Sequence, residues 1–219
     1  MNFSRITIIS GHYGSGKTNI AVSLAYDLKK VEEKVAIADI DIVNPYFRTK
    51  DNEQQLERAG IRLICSEYAN SNVDIPALPQ DMYAVTDDKE LHSILDVGGD
   101  ERGALALGRI SPAIREENDY QMLYVVNKFR PLTKDADSAI EVMREIEAAC
   151  GLKFTAIINN SNLGAETTAD DVISSLDYAA EISQKTELPV LFTSVNRSVA
   201  EQLNGEIENL YVMEIETKL

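Results

Sequence analysis

The chain has 219 residues, 44% of them hydrophobic, enough to bury a sizeable core. It carries 21 Lys and Arg against 36 Asp and Glu, a net charge of −15, and this excludes nucleic acid and anionic membrane surfaces as default partners because no basic footprint is available to hold phosphates in bulk. No apolar stretch approaches the roughly 18 residues of a membrane span, and the first residues lack the charged and apolar regions of a signal peptide, so a cytoplasmic protein with no membrane anchor is expected. Cys65 and Cys150 lie far apart with no Cys-x-x-Cys pair, which favours buried, reduced thiols over a disulfide or a metal site.

In chain order, the apolar, β-branched run Arg5-Ile-Thr-Ile-Ile-Ser10 suits a buried parallel strand. Gly-His-Tyr-Gly-Ser-Gly-Lys-Thr follows at residues 11–18 and satisfies G-x-x-x-x-G-K-S/T, the phosphate-binding P-loop. Gly11, Gly14 and Gly16 let the backbone approach a phosphate closely. The amides from about Gly14 through Ser15 to Thr18 can then form an anion-holding nest at a helix N-terminus. Lys17 is suited to the β- and γ-phosphates, and the Thr18 hydroxyl to Mg2+. Ile20, Ala21, Leu24, Ala25, Leu28 and Val31 then recur at helical spacing. Strand, glycine-rich loop and helix are what the motif requires, and a nucleotide site is expected.

Further strands are predicted at residues 35–40, 61–65, 91–97, 122–127, 154–159, 190–195 and 210–215. Helices are predicted near 135–149 and 168–184, the second opening with a near capping box in which Thr168 stands three residues before Asp171. No low-complexity linker or internal repeat interrupts the alternation, so residues 1–219 read as a single P-loop nucleotide-binding domain. The expected fold is a doubly wound, mostly parallel α/β sheet with helices on both faces. Ligands of such sheets sit at the carboxyl ends of the strands.

Two strand ends carry acids. Asp39-Ile-Asp41 ends one strand, and period two places both carboxylates on one side. One can organise Mg2+ through its waters while the other positions, or takes a proton from, an attacking water; a plain acidic turn before Pro45 is the structural alternative. Ile94-Leu95-Asp96-Val97-Gly98-Gly99 is a D-x-x-G strand end, in which Asp96 would stand behind Mg2+ and the Gly99 amide would sense the γ-phosphate. Asn159-Asn160-Ser161-Asn162 ends another strand; Asn160 can pair with an adenine edge or serve only as a loop start. Asn127-Lys128-Phe129-Arg130 begins like the guanine-reading N-K-x-D string, but Arg130 replaces the Asp that guanine needs, which favours adenine.

With its P-loop, D-x-D and D-x-x-G in this order, nearly the whole chain resembles the MinD/ParA-like group of P-loop ATPases, which also holds the nitrogenase iron protein and the cobyrinate-synthase-type amidases. The resemblance implies ATP and Mg2+ as ligands, with Asp39 in the second acidic motif and Asp41 positioning the hydrolytic water. It implies that Asn160-Ser161 contacts adenine and that the segment from Leu188 to Val199 flanks the base. The family's second P-loop lysine, which reaches across a nucleotide-sandwich dimer, is replaced here by His12. His12 is read either as packing at the loop edge or as catalytic, and Arg48 as a substitute cation. Cysteines for an iron–sulfur bridge and an amphipathic membrane-targeting C-terminal helix are lacking.

Three functions fit. The chain can be an ATP-hydrolysing switch for a protein partner, with a nucleotide-dependent homodimer as one form. It can be an ATP-dependent transferase or ligase of the dethiobiotin-synthetase or cobyrinate-amidase type, with residues 66–90 and 98–118 as room for a second substrate. Or it can be a nucleotide-binding module with little turnover. No chemistry is assigned to residues 68–88.

Overall fold

The β-branched run after Arg5 forms β1 (Ile6–Ser10), buried along its whole length as a central parallel strand must be. The computed structural model describes residues 3–40, 53–65, 80–99, 101–203, 205 and 207–213. After β1 follow α1 (Lys17–Lys29), β2 (Val35–Asp39), α2 (Glu53–Arg58), β3 (Ile61–Ile64), α3 (Ala84–Asp87), β4 (His92–Asp96), α4 (Glu101–Gly108) and α5 (Ser111–Glu117). The second half runs β5 (Tyr120–Val126), α6 (Ala136–Cys150), β6 (Ala156–Asn159), α7 (Ala169–Ser174), α8 (Leu176–Thr186), β7 (Val190–Asn196), α9 (Arg197–Ala200) and β8 (Leu210–Met213).

The strands form one eight-stranded sheet in the order β3-β2-β4-β1-β5-β6-β7-β8. Every pairing is parallel, so the expected mostly parallel α/β sheet is all-parallel over the described residues. The chain first builds outward on one side of β1 and then, from β5 onward, on the other. β1 therefore ends at the switch point, where a parallel sheet opens a crevice for ligands.

Period two divides the core. Ile6, Ile8, Leu95, Met122, Tyr124 and Val126 face α4, α6 and α8, while Ile9, Ile37, Ile94, Leu123 and Val125 face α1. Ile20, Leu24 and Leu28 of α1 are fully buried, each worth about 1.5–3 kcal/mol of transfer free energy. They pin α1, and with it the loop at its head, to the sheet. At the opposite strand ends Arg5 is buried and ion-paired with Glu117. Its Nη1 also donates to the carbonyls of Val85 (2.9 Å) and Leu91 (2.8 Å). The first cause holding the Glu117 carboxyl below its usual range is the hydrogen bond from Arg5.

The structure departs from the sequence reading in two places and adds to it in a third. The helical spacing continues to Val31, but the helix stops at Lys29 and Val31 is 69% exposed. The helix expected over 168–184 is two, α7 and α8. Between them the buried Ser175 donates its hydroxyl to the Val172 carbonyl (2.7 Å) and accepts from Asn159 Nδ2 (2.9 Å), which turns the chain. Of residues 68–88, those from 80 onward form a short 3-10 turn and α3, with Met82 and Val85 in the core. Residues 66–79 lie outside the described residues, as do 214 and 215 of the last predicted strand.

Candidate nucleotide site

β1 releases residues 11–16 as a loop, and α1 begins at Lys17 itself. Gly16 is the residue before the helix, at φ 87°, a left-handed conformation that glycine adopts without steric penalty. It contributes no capping side chain, and the first turn of α1 contains no acidic residue. The positive end of the helix is thus directed into the loop. Close approach is the second demand on these glycines. A Cβ on Gly16 would overlap Asn160 Nδ2, and one on Gly99 would overlap the Gly11 carbonyl oxygen.

Lys17 is 7% exposed, with its Nζ donating to the His12 carbonyl at 3.3 Å, so its ammonium lies over its own loop. The Thr18 hydroxyl donates to Asp96 Oδ2 at 2.6 Å, and Asp96 is buried. Asp39 is half-buried and stands in register with Asp96 across β2 and β4. Ile37 and Ile94 face α1, so Asp39 and Asp96, two residues further along each strand, emerge on that same face, the face of Thr18. A hydroxyl and carboxylates are the hard oxygen donors that suit Mg2+. No group of three His, Cys, Asp or Glu among the described residues could hold a metal by itself.

The other expected site residues take these places. Gly99 lies with its backbone against Gly11, His12 and Tyr13, bringing the end of β4 onto the P-loop. Ser15 is buried; its carbonyl accepts from Asn160 Nδ2 at 2.6 Å, and its hydroxyl makes no hydrogen bond among the described residues. Asn160, read from sequence as an adenine partner or a loop start, is 2% exposed, and its Oδ1 accepts from the Ser194 hydroxyl at 2.8 Å. Both ends of that amide are therefore occupied in tying the P-loop to β7. Asp41 and Arg48 lie outside the described residues.

His12 donates from Nδ1 to the Tyr13 carbonyl at 2.9 Å. Burial lowers its pKa most; the Tyr13 contact opposes this, and the charges of Lys17 and Arg130 lower it again, leaving the net shift downward. A pKa moved down from the ordinary imidazole value leaves the ring neutral at pH 7.

The contacts of three groups escaped sequence reasoning. Arg130 comes from the loop after β5 and donates from Nε to the Gly14 carbonyl at 2.7 Å. Asn127, fully buried at the end of β5, bridges two loops: its Nδ2 donates to the Asn162 carbonyl (3.1 Å) and its Oδ1 accepts from the Phe129 amide (2.9 Å). Ser194 anchors Asn160. The Asn at each of two strand ends was a usable signal for Asn127 and Asn160; the N-K-x-D-like string marked Arg130 but not its contact with Gly14, and nothing local pointed to Ser194.

No helix among the described residues is long and apolar enough to cross a membrane. No curated protein matches the sequence. Among solved structures, FtsY from Thermotoga maritima is similar at TM-score 0.55 and 20% identity, over 89% of this chain and 62% of that one. FtsY from Elizabethkingia anophelis in complex with GDP is similar at TM-score 0.51 and 18% identity, over 89% and 58%. A nucleotide-binding protein from Archaeoglobus fulgidus in complex with ADP is similar at TM-score 0.50 and 13% identity, over 90% and 84%. The chain thus spans about three fifths of these FtsY chains, and at such identities the likeness is one of fold. The family model for the CobQ/CobB/MinD/ParA nucleotide-binding domain matches residues 6–207. That match takes in every strand from β1 to β7 together with the P-loop, and by it the chain belongs to the CobQ/CobB/MinD/ParA nucleotide-binding domain family.

Proposed function

We propose that the chain is one Mg2+-dependent, ATP-binding domain that hydrolyses ATP slowly and acts as a nucleotide switch for a protein partner. The observation that supports this best is the 2.6 Å bond from the Thr18 hydroxyl to Asp96 beside Lys17, at a helix start with no acidic residue in its first turn. In this reading the loop amides and Lys17 hold the polyphosphate, Thr18 ligates Mg2+, and Asp96 with Asp39 orient that ion's waters. Bound Mg2+ would neutralise charge on the phosphates. Asp41 positions the attacking water, and Gly99, packed on residues 11–13, carries the state of the γ-phosphate toward α4. A neutral His12 in place of the family's second lysine supports slow turnover.

The transferase or ligase reading gains nothing from residues 98–118. That stretch is largely α4 and α5, and Ala104, Leu107, Ile110 and Ile114 are buried in the core. The preference for ATP over GTP rests on Arg130 standing where a guanine-reading carboxylate would be.

Single-turnover hydrolysis and calorimetric ATP affinity, measured on Asp41→Asn and Asp96→Asn, test the assignment. Asp41→Asn should keep Mg·ATP binding and lose about a hundredfold in hydrolysis, the range of a water-positioning group. Asp96→Asn should weaken binding and its Mg2+ dependence together. Hydrolysis at the parent rate in Asp41→Asn would make Asp41 a turn residue only.

A further inference from the structure

The family's second P-loop cation is absent from this sequence, yet a guanidinium lies on the loop. Arg130 follows β5, the neighbour of β1, and its position comes from that loop's own construction. Asn127 Oδ1 accepts from the Phe129 amide, the Arg130 amide donates to the Asn127 carbonyl at 3.1 Å, and the Thr133 hydroxyl donates to the same carbonyl at 3.0 Å. The tight turn so formed aims the arginine at Gly14. Its Nε donates to the Gly14 carbonyl, and a Cβ on Gly14 would lie 3.1 Å from the Arg130 Cζ, so the guanidinium lies across the Gly14 backbone. Among the described residues this is its one hydrogen bond, and it has no acidic partner, although the chain carries a net charge of −15. An arginine left without a carboxylate on so acidic a protein still has four N–H donors to offer an anion.

We propose that Arg130 is a second, cis-acting cation of the P-loop, latching the Gly14 carbonyl through Nε and presenting its Nη donors to the polyphosphate bound there. This inference rests on the nucleotide reading of the loop. Fixing the Gly14 carbonyl also fixes the plane of the peptide that carries the Ser15 amide, which donates to the His12 carbonyl at 3.1 Å, so the latch holds the loop's own turn as well as adding charge. The lowered pKa of His12, to which Arg130 contributes, is consistent with a guanidinium close to the loop.

The test uses the full chain as parent, Arg130→Ala and Arg130→Lys, each checked by thermal melting. Inorganic tripolyphosphate, ATP and ADP are titrated calorimetrically, and His12 is titrated by NMR. The chain has two histidines, and His92, 3.4 Å from Glu32 at the opposite strand ends, is the internal reference. Arg130→Ala should weaken tripolyphosphate and ATP about tenfold or more, the scale of a hydrogen bond to a charged group. Arg130→Lys should recover part of that. The His12 pKa should rise in Arg130→Ala and stay near the parent value in Arg130→Lys, a split that loss of packing alone would not produce. Equal tripolyphosphate affinity in Arg130→Ala and parent would overturn the proposal. So would an unmoved His12, or a parent that binds no tripolyphosphate. A parent that binds tripolyphosphate with the expected Arg130 dependence but neither nucleotide would uphold Arg130 and overturn the nucleotide reading.

Discussion

The helices α1 and α7 solve the same problem in opposite ways. At α7 the chain satisfies its own helix start: the Thr168 side chain accepts from the Asp171 amide, Asp171 accepts from the Thr168 amide, and Asp170 and Asp171 place negative charge in the first turn. α6 is similar, with Asp135 accepting from the Ser138 amide at 2.9 Å. α1 follows a left-handed glycine, takes no side-chain cap from it, and has no acid in its first turn. Every helix start offers orphan N–H groups and a partial positive charge. The capped helices spend that on their own side chains, whereas α1 keeps it for an incoming anion and adds Lys17.

The contrast breaks most severely if Lys17 is removed. Lys17→Ala should lower Mg·ATP affinity on the order of a hundredfold or more while the chain stays folded, since a charge-assisted contact to phosphate is lost. Calorimetry with a thermal melt measures both, and unchanged affinity would remove the site. Asn19→Asp would give α1 the first-turn acid that α7 has. It should weaken ATP binding by about fivefold while raising the melting temperature slightly, the scale of a helix-dipole interaction. Thr168→Ala is the reciprocal change: a loss of about 1 kcal/mol in stability to denaturant with ATP affinity unmoved. If nucleotide binding moved with it, α7 would have to be coupled to the P-loop.

The smallest effect expected is one of pH. The Ser138 amide, then its hydroxyl, lower the pKa of Asp135, and the Thr168 hydroxyl, then its amide, lower that of Asp171. A carboxyl with a depressed folded pKa stabilises the native state fully above its unfolded pKa, about 3.9. That contribution is lost as pH falls through the lower folded value. Melting temperatures followed from pH 6 down to about 2 should fall less steeply in an Asp135→Asn, Asp171→Asn double variant than in the parent. Parallel curves would show that these caps are not titrating as assigned.

Much of the fold was legible because its signals are periodic or local. Alternation in β2 and β4 predicts that Asp39 lies on the face of Ile37 and Asp96 on that of Ile94, and the strands deliver both there. Thr168 and Asp171 announce their capping box three residues apart. The misses are of another kind. Val31 continues a helical spacing that the chain abandons two residues earlier, so its exposure depends on where α1 stops. The break at Ser175 depends on Asn159, a partner 16 residues away that no local pattern reveals.

The sequence by itself determined the P-loop, the strands that frame it and the carboxylates that end two of them, because each depends on residue type at short, regular spacing. Only the tertiary structure decided what stands against the loop. Asn160 reaches Ser15 across 145 residues and Arg130 reaches Gly14 across 116. Both contacts exist because β5 and β6 are laid in order beside β1 at the switch point of the sheet. Contacts of that range follow from strand order, which is settled by packing both faces of the sheet at once.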